Sequence, residues 1–436
     1  MNQTVDSLYS AFGRSARCNF VRLLLLQECG VISNRPFGSL PQEESARVSV
    51  HSVVSASTIS DEAMEMKEAT AEWVGKRVIP HESAIGVTGE VPDDISKDLR
   101  ELGYYGLTIP EEYGGLGVGY LEYCAVLEEL ARSPKPVWNL VNVANGVASL
   151  LLSRHGSDEQ KLKYLPGIAL GEVIPSITVS EPDAGSDVQG IRTSAKKVDG
   201  GWLVNGVKHY ITFGGMAHVL FLLARTPSNN ESKKSFTLFL VDRGNPGYRV
   251  ARYQETMAGP PHEQVELVFD DCFIADEMVL GGIGNGLRCV FSTFAEERIS
   301  MSICALGAAQ RALELAVGYA RERVAFGQPI GEFQAIQHSL ADCATELSAA
   351  RALCYDLARR LATRRVQPHE AAMVKLYCGE MAGRVADRCL QVFGGAGFMA
   401  ESPISRIYRD VRVFRISGGT SEIQRNLIAR ELMRED

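Results

Sequence analysis

The hydrophobic period of this 436-residue chain changes twice, and that change constrains its architecture more than any single motif. Across residues 61–170 apolar side chains recur at three- and four-residue steps, as in Ala63, Met66, Ala69, Trp73 and Val74, the spacing of one helix face. Leu99, Leu102 and Tyr105 end a second helical stretch, and a third follows the glycine-rich turn at 114–119. Asp158 marks a further helix start. Across residues 174–280 the period falls to two. Residues 219–223 and 236–241, and the alternating Val265, Leu267 and Phe269, read as strands. Residues 202–204 and 207–212 read as a hairpin with a type I′ turn at Asn205-Gly206. From Gly286 the helical period returns, with Ile299, Ile303, Leu306, Leu313 and Val317 on one long helix and two more over 340–361 and 369–393. Segregated helices, strands and helices exclude a doubly wound nucleotide fold, in which the two alternate. The expected fold is α+β and multidomain. It has an extension over 1–60, a helical domain over 61–173, a β domain over 174–283 and a helical domain over 284–436.

Composition narrows the function classes. Apolar residues make up 45% and charged residues 22%, as in ordinary globular chains. A net charge of -8 argues against nucleic-acid binding. No two of the ten cysteines have CxxC spacing and no two histidines stand at i, i+4, so neither a disulfide frame nor a metal site is expected. No apolar run approaches the length of a membrane span. Arg14, Arg17, Arg22 and many serines near the start faintly suggest a transit peptide, against which stand Asp6 and Glu28, so a poorly ordered extension is expected. A bacterial cytoplasm suits this chain, with a mitochondrial matrix as the second expectation.

The glycine runs 115–119 and 282–286 lack the spacing and flanking strands of phosphate loops and read as turns. More specific is Thr178-Val179-Ser180-Glu181-Pro182-Asp183-Ala184-Gly185-Ser186-Asp187, dense in hydroxyls and backbone donors at a strand edge. Such donors suit the N1–C2=O edge of a flavin, where reduction places charge. This stretch closely resembles the signature of the acyl-CoA dehydrogenase family, and further motifs follow in the family's order. Tyr210-Ile211-Thr212 looks like the second flavin strand, with Tyr210 where the family usually has Trp. Residues 323–330, followed by Phe333-Gln334, look like the adenine and pyrophosphate segment, and 391–395 and 419–422 like the last two FAD contacts. The resemblance covers residues 61–433. It implies a helical N-terminal domain, a β-barrel-like middle domain, a C-terminal four-helix bundle and FAD as cofactor. By position, it assigns cofactor contacts to Ile177, Thr178, Val179, Ser180, Ser186, Tyr210, Ile211, Thr212, Arg323, Phe326, Gln334, Gln391, Gly394, Gly395, Thr420 and Glu422. It further implies an acyl-CoA substrate, an electron-transfer flavoprotein as acceptor and a homotetramer in which Arg323, Phe326, Gln334, Gln391 and Gly395 reach the neighbouring subunit's flavin.

The family's chemistry needs a carboxylate to remove the α-proton while the flavin takes the β-hydrogen. In many members that carboxylate lies just before the C-terminal Gly-Thr pair, a place held here by Gly418, which has no side chain. Isovaleryl-CoA and long-chain members instead put the glutamate before an arginine at the start of the first bundle helix, matched here by Glu297-Arg298. Residues at i+4, i+7, i+11 and i+15 from Glu297 are Met301, Cys304, Ala308 and Ala312, an apolar stripe that would desolvate the carboxylate and raise its pKa. From Glu296 the same steps give the more mixed Ser300, Ile303, Gly307 and Arg311. Glu297 is therefore expected as the base, with Ser186, Arg298, Gly418 and Gly419 at the substrate. In the family, a Met-Gly-x-Arg-x-Ser-x-Thr stretch precedes the last strand of the middle domain. Here it reads Met257-Ala258-Gly259-Pro260-Pro261-His262-Glu263-Gln264, without the arginine and hydroxyls. The expected reaction is conversion of a saturated, branched or medium/long acyl-CoA to its trans-2-enoyl ester. The alternatives are an oxidase, a reductase or a carrier-protein thioester dehydrogenase of the same fold, or a scaffold that retains it.

Overall fold

The computed structural model describes residues 60–228, 234–259, 263–363 and 366–434; the expected extension, apart from Ser60, and Pro260, Pro261 and His262 of the altered loop lie outside them. Seven helices come first: α1 Asp61–Trp73, α2 Glu82–Thr88, α3 Asp93–Glu101, α4 Tyr120–Leu130, α5 Lys135–Val143, α6 Ser149–His155 and α7 Asp158–Ala169. Local signals start and stop them. Ser60 caps α1 by accepting from the Ala63 N–H, and Ser157 with Gln160 forms a capping box on α7. Between α5 and α6 the run widens into a π turn, Ala144–Ala148, where Gly146 leaves helical geometry (φ -89, ψ -123). Such bulges recur at functional sites.

The strands are β1 Pro175–Thr178, β2 Ser194–Val198, β3 Gly201–Thr212, β4 Val219–Thr226, β5 Ser235–Asp242, β6 Tyr248–Tyr253, β7 Gln264–Ala275 and β8 Val279–Leu280. They form one sheet in the order β6-β7-β3-β2-β4-β5-β8, with β1 parallel to β4. The sheet does not close as a barrel: β6 and the two-residue β8 are its ends. Alternation along a strand fixes which side chains share a face and leaves closure to strand tilt and stagger. In β4, Val219, Phe221 and Leu223 join the helical core while Leu220, Leu222 and Ala224 fill a separate core behind the sheet, so both faces are apolar.

The expected hairpin at Asn205-Gly206 is absent. Both residues lie inside β3, at a register shift against β7, and the turn sits at 199–200, where Gly200 takes φ 71 and Val198 pairs with Gly201. Asn205 is used across the sheet instead: its Nδ2 donates to Asp271 Oδ1 (2.9 Å) and its Oδ1 accepts from the Asp271 N–H (2.8 Å). Gly206 is a place of close approach, where a Cβ would come within 2.7 Å of the Thr193 Cα. The Asn-Gly pair thus marks a bulge rather than a chain reversal.

After α8 Gly286–Phe291 come three long helices, α9 Phe294–Glu322, α10 Gln334–Thr363 and α11 Pro368–Phe393. A small hairpin, β9 Val324–Ala325 and β10 Gln328–Pro329, joins α9 to α10. The chain ends in α12 Gly395–Phe398, α13 Pro403–Asp410, a 3₁₀ turn Val411–Arg415 and α14 Ser421–Leu432, which lies along α11 as the fourth bundle helix. The core of α9, α10 and α11 is continuous with that of the first seven helices. Among the described residues no helix is long and apolar enough to cross a membrane.

Candidate active site

Glu297 sits in the first turn of α9 with its N–H donating to Thr293 O (3.0 Å). It is half-buried, and burial lifts its carboxyl above the ordinary carboxylate range, opposed by the positive charges of Arg298 and Lys375. The glycine turn Gly418-Gly419 faces it. Both glycines are left-handed (φ 64 and 89), and a Cβ on Gly418 would lie 3.7 Å from Glu297 Oε1 and 4.0 Å from Lys375 Cε. Lys375 Nζ donates to Gly419 O (2.6 Å), and Gln424 Nε2 donates to Gly418 O (3.1 Å) and Gly419 O (2.8 Å), so two buried side chains pin the turn beside the carboxylate. Thr420 caps α14, its hydroxyl accepting from the Ile423 N–H, and Glu422 points to solvent.

Neighbouring residues are placed differently. Glu296 is buried in an ion pair with Arg154, while its backbone carbonyl accepts from the Tyr120 hydroxyl (2.5 Å). Arg298 is buried against the Phe294 ring and reaches Pro368 O at 3.5 Å, and its Nε has no hydrogen-bond partner among the described residues. Burial lowers its pKa, opposed by Glu297. Below Glu297, the Cys304, Ala308 and Ala312 stripe is buried and Met301 half-buried.

The two expected flavin segments lie side by side. Ser176 Oγ donates to Thr212 O (2.7 Å) and the His209 N–H to Ser180 O (2.9 Å), tying Ile177, Thr178, Val179 and Ser180 to Tyr210, Ile211 and Thr212. Tyr210 takes φ 59, unusual for a residue with a Cβ, and Gln254 Oε1 accepts its N–H (3.0 Å). Its exposed ring stacks on His209 at 4.1 Å and 6°. A flat aromatic platform beside a hydroxyl-bearing strand fits a planar ring system. Ser186 lies exposed on the following loop, next to Gly185, where a Cβ would meet nothing within 4 Å.

A third group is remote. Arg323, Phe326 and Gln334 lie where α9 ends and α10 begins, and Gln391, Gly394 and Gly395 where α11 ends. The Tyr319–Phe393 stack (4.3 Å) joins these ends. All six are exposed, and Phe326 is 96% so. At ~1.5 Å per residue, α9 separates them from Glu297 by roughly 40 Å, so they cannot serve the same acyl site within one chain.

Sequence reasoning passed over several residues. Lys375 falls on the buried stripe Ala371, Val374, Cys378 and Ala382, where a charged side chain is a signal in itself. Fully buried Lys208 donates to Val179 O (2.8 Å) and Glu181 Oε1 (2.9 Å), while Glu181 also accepts from the N–H groups of Arg192 and Thr193 (2.6 and 3.0 Å). Burial pushes the Lys208 ammonium down to about 8, opposed by Glu181. This pair braces the segment that carries Val179 and Ser180.

Comparison with known proteins agrees with this layout. Residues 60–172, 176–272 and 284–433 match the models for the N-terminal, middle and C-terminal domains of acyl-CoA dehydrogenase. The chain is 37% identical to the mitochondrial isovaleryl-CoA dehydrogenase of Oryza sativa subsp. japonica over 389 residues, covering 89% of this chain and 95% of that one. It is 36% identical to the benzylmalonyl-CoA dehydrogenase of Aromatoleum aromaticum over 375 residues, 86% of this chain and 98% of the other. The solved butyryl-CoA dehydrogenase of Megasphaera elsdenii superposes with a TM-score of 0.80 at 30% identity, covering 86% of this chain and 99% of that one. With all three domains matched in order along nearly the whole described chain, the protein belongs to the acyl-CoA dehydrogenase family.

Proposed function

We propose that this enzyme converts a saturated acyl-CoA to its trans-2-enoyl ester, with Glu297 removing the α-proton. The observation that carries the assignment is the 3.7 Å approach of Glu297 Oε1 to the place a Gly418 Cβ would occupy. The two chain positions from which relatives supply the carboxylate thus converge on one point, and only one of them holds a side chain. Burial gives Glu297 the raised proton affinity a general base needs near neutral pH, while Arg298 and Lys375 keep it ionisable. Glu296, committed to Arg154, is not free for the role.

FAD is the cofactor this reading requires; when bound it accepts the β-hydrogen as hydride. Ile177 to Ser180 and Tyr210 to Thr212 would hold its ring, with Ser186 near the thioester. Arg323, Phe326, Gln334, Gln391, Gly394 and Gly395, too far from Glu297 in the same chain, would reach the site of a second copy, which supports a homo-oligomer, a tetramer as the resemblance implies. Thr420 and Glu422 remain at the near site. Electrons then pass to an electron-transfer flavoprotein. The isovaleryl-CoA relative and the open wall at Gly418 favour a branched or longer acyl group.

Glu297→Gln tests the base. The variant keeps its FAD, and anaerobic bleaching of the flavin by acyl-CoA slows by roughly 10²–10⁴-fold, the usual contribution of a positioned base. Bleaching at the wild-type rate overturns the assignment.

A further inference from the structure

The helix face opposite Met301 holds an amide nitrogen that has no role in the proposed proton transfer and only a sulfur partner among the described residues. Trp138, Asn142 and Gly146 stand at i, i+4 and i+8 along α5 and the π turn, and that turn packs against both α9 and β1. Gly146 is buried, yet among the described residues a Cβ there would meet only Asn142 Oδ1, at 3.9 Å, so there is room for at least one more carbon beside it. At the other end of this face, Trp138 stacks on Phe414 (6.3 Å, 24°), four residues before Gly418.

Asn142 is 9% exposed. Its Oδ1 accepts from the Tyr123 hydroxyl at 2.9 Å, but among the described residues its Nδ2, with two N–H groups, meets only the Met301 sulfur at 4.0 Å. A thioether is a weak acceptor, and a buried amide donor left in that state is costly. Met301 lies one helical turn, ~5.4 Å, below Glu297 on the same face of α9. An acyl chain that runs down this face from Glu297 would meet Met301 and then the Asn142 amide.

We propose that Asn142 is a specificity-determining residue whose Nδ2 donates to a neutral oxygen, a keto or hydroxyl group, on the acyl chain of the substrate. The preferred ester is then an oxygen-bearing acyl-CoA rather than a plain hydrocarbon one. A neutral oxygen is favoured over a carboxylate because one amide donor cannot compensate the desolvation of a full charge. This inference rests on Glu297 being the base.

The test compares kcat/KM for 5-oxohexanoyl-CoA and hexanoyl-CoA in the wild-type holoenzyme and in Asn142→Leu, a near-isosteric change. The wild type is expected to prefer the oxo ester by roughly tenfold, the effect of one matched hydrogen bond, and N142L to lose or reverse that preference. A wild-type ratio at or below one overturns the proposal, even if N142L does not fold. An equal preference in both proteins also overturns it and leaves Asn142 as a structural partner of Tyr123. Failure of both esters to bleach the wild-type flavin also overturns the proposal, whereas the dehydrogenase reading falls only if isovaleryl-CoA and longer acyl-CoAs fail to bleach it too.

Discussion

Lys375 shows how one buried side chain can set the working range of another. It is 2% exposed, and burial pushes its ammonium down to about 8, with Glu297 opposing the shift and Arg298 adding to it. Its positive charge in turn lowers the pKa of Glu297, whose ionised form is the one that can take a proton. Replacing Lys375 with Met removes that charge, so the Glu297 carboxyl rises further and the acid limb of the kcat/KM profile moves to higher pH. A variant that binds FAD and keeps the wild-type limb would reduce Lys375 to a brace for Gly419.

At the scale of elements, the position of α9 depends on its crossing with α4. A Cβ on Gly307 would come 2.7 Å from the Ala131 Cβ and closer still to the Glu128 carbonyl, so only glycine permits the approach. Gly307→Ala should destabilise the protein by about 1–3 kcal/mol, the usual cost of overpacking, read as a lower midpoint in thermal or guanidinium unfolding. An unchanged midpoint would mean that the helices part at no cost. The same kind of contact explains the misread hairpin. Asn205-Gly206 carries the composition of a tight turn, but Thr193 on one side and Asp271 on the other use the pair as a bulge within a longer strand. Local composition cannot tell these uses apart, because the partner strands lie elsewhere in the chain.

Across the whole molecule, the first helices are joined to the bundle by a buried polar network. Glu128 of α4 accepts from Arg351 Nε (2.7 Å), the Tyr355 hydroxyl (2.6 Å) and Lys67 Nζ (3.2 Å), and Arg351 Nη2 donates to Gln310 on α9 (3.0 Å). Burial alone would raise the Glu128 pKa, but Arg351 and Lys67 hold it well below the carboxylate range. Its contribution to stability is therefore present at neutral pH and lost as pH falls through that depressed value. Glu128→Gln leaves Arg351 charged, buried and without its carboxylate, which should cost about 3–5 kcal/mol in chemical unfolding at neutral pH. A loss below about 1 kcal/mol would show that the network does not couple the two parts.

The sequence by itself determined the kinds of element and their order, because hydrophobic period is a local property and survives without knowledge of partners. The long helices α9, α10 and α11, the strand β4 and the ordered motifs from Thr178 to Glu422 were legible in this way, and so was the pairing of a candidate carboxylate at Glu297 with an absent one at Gly418. Only the tertiary structure decided what each face meets. It brought Glu297 and Gly418 to one point, turned Lys375 and Asn142 inward, committed Glu296 to Arg154 and left the sheet open. It also put Arg323 and Phe326 at the far end of the bundle from Glu297. Those outcomes depend on packing between segments distant in the chain, where burial, close approach and charge are set by neighbours that no local pattern names.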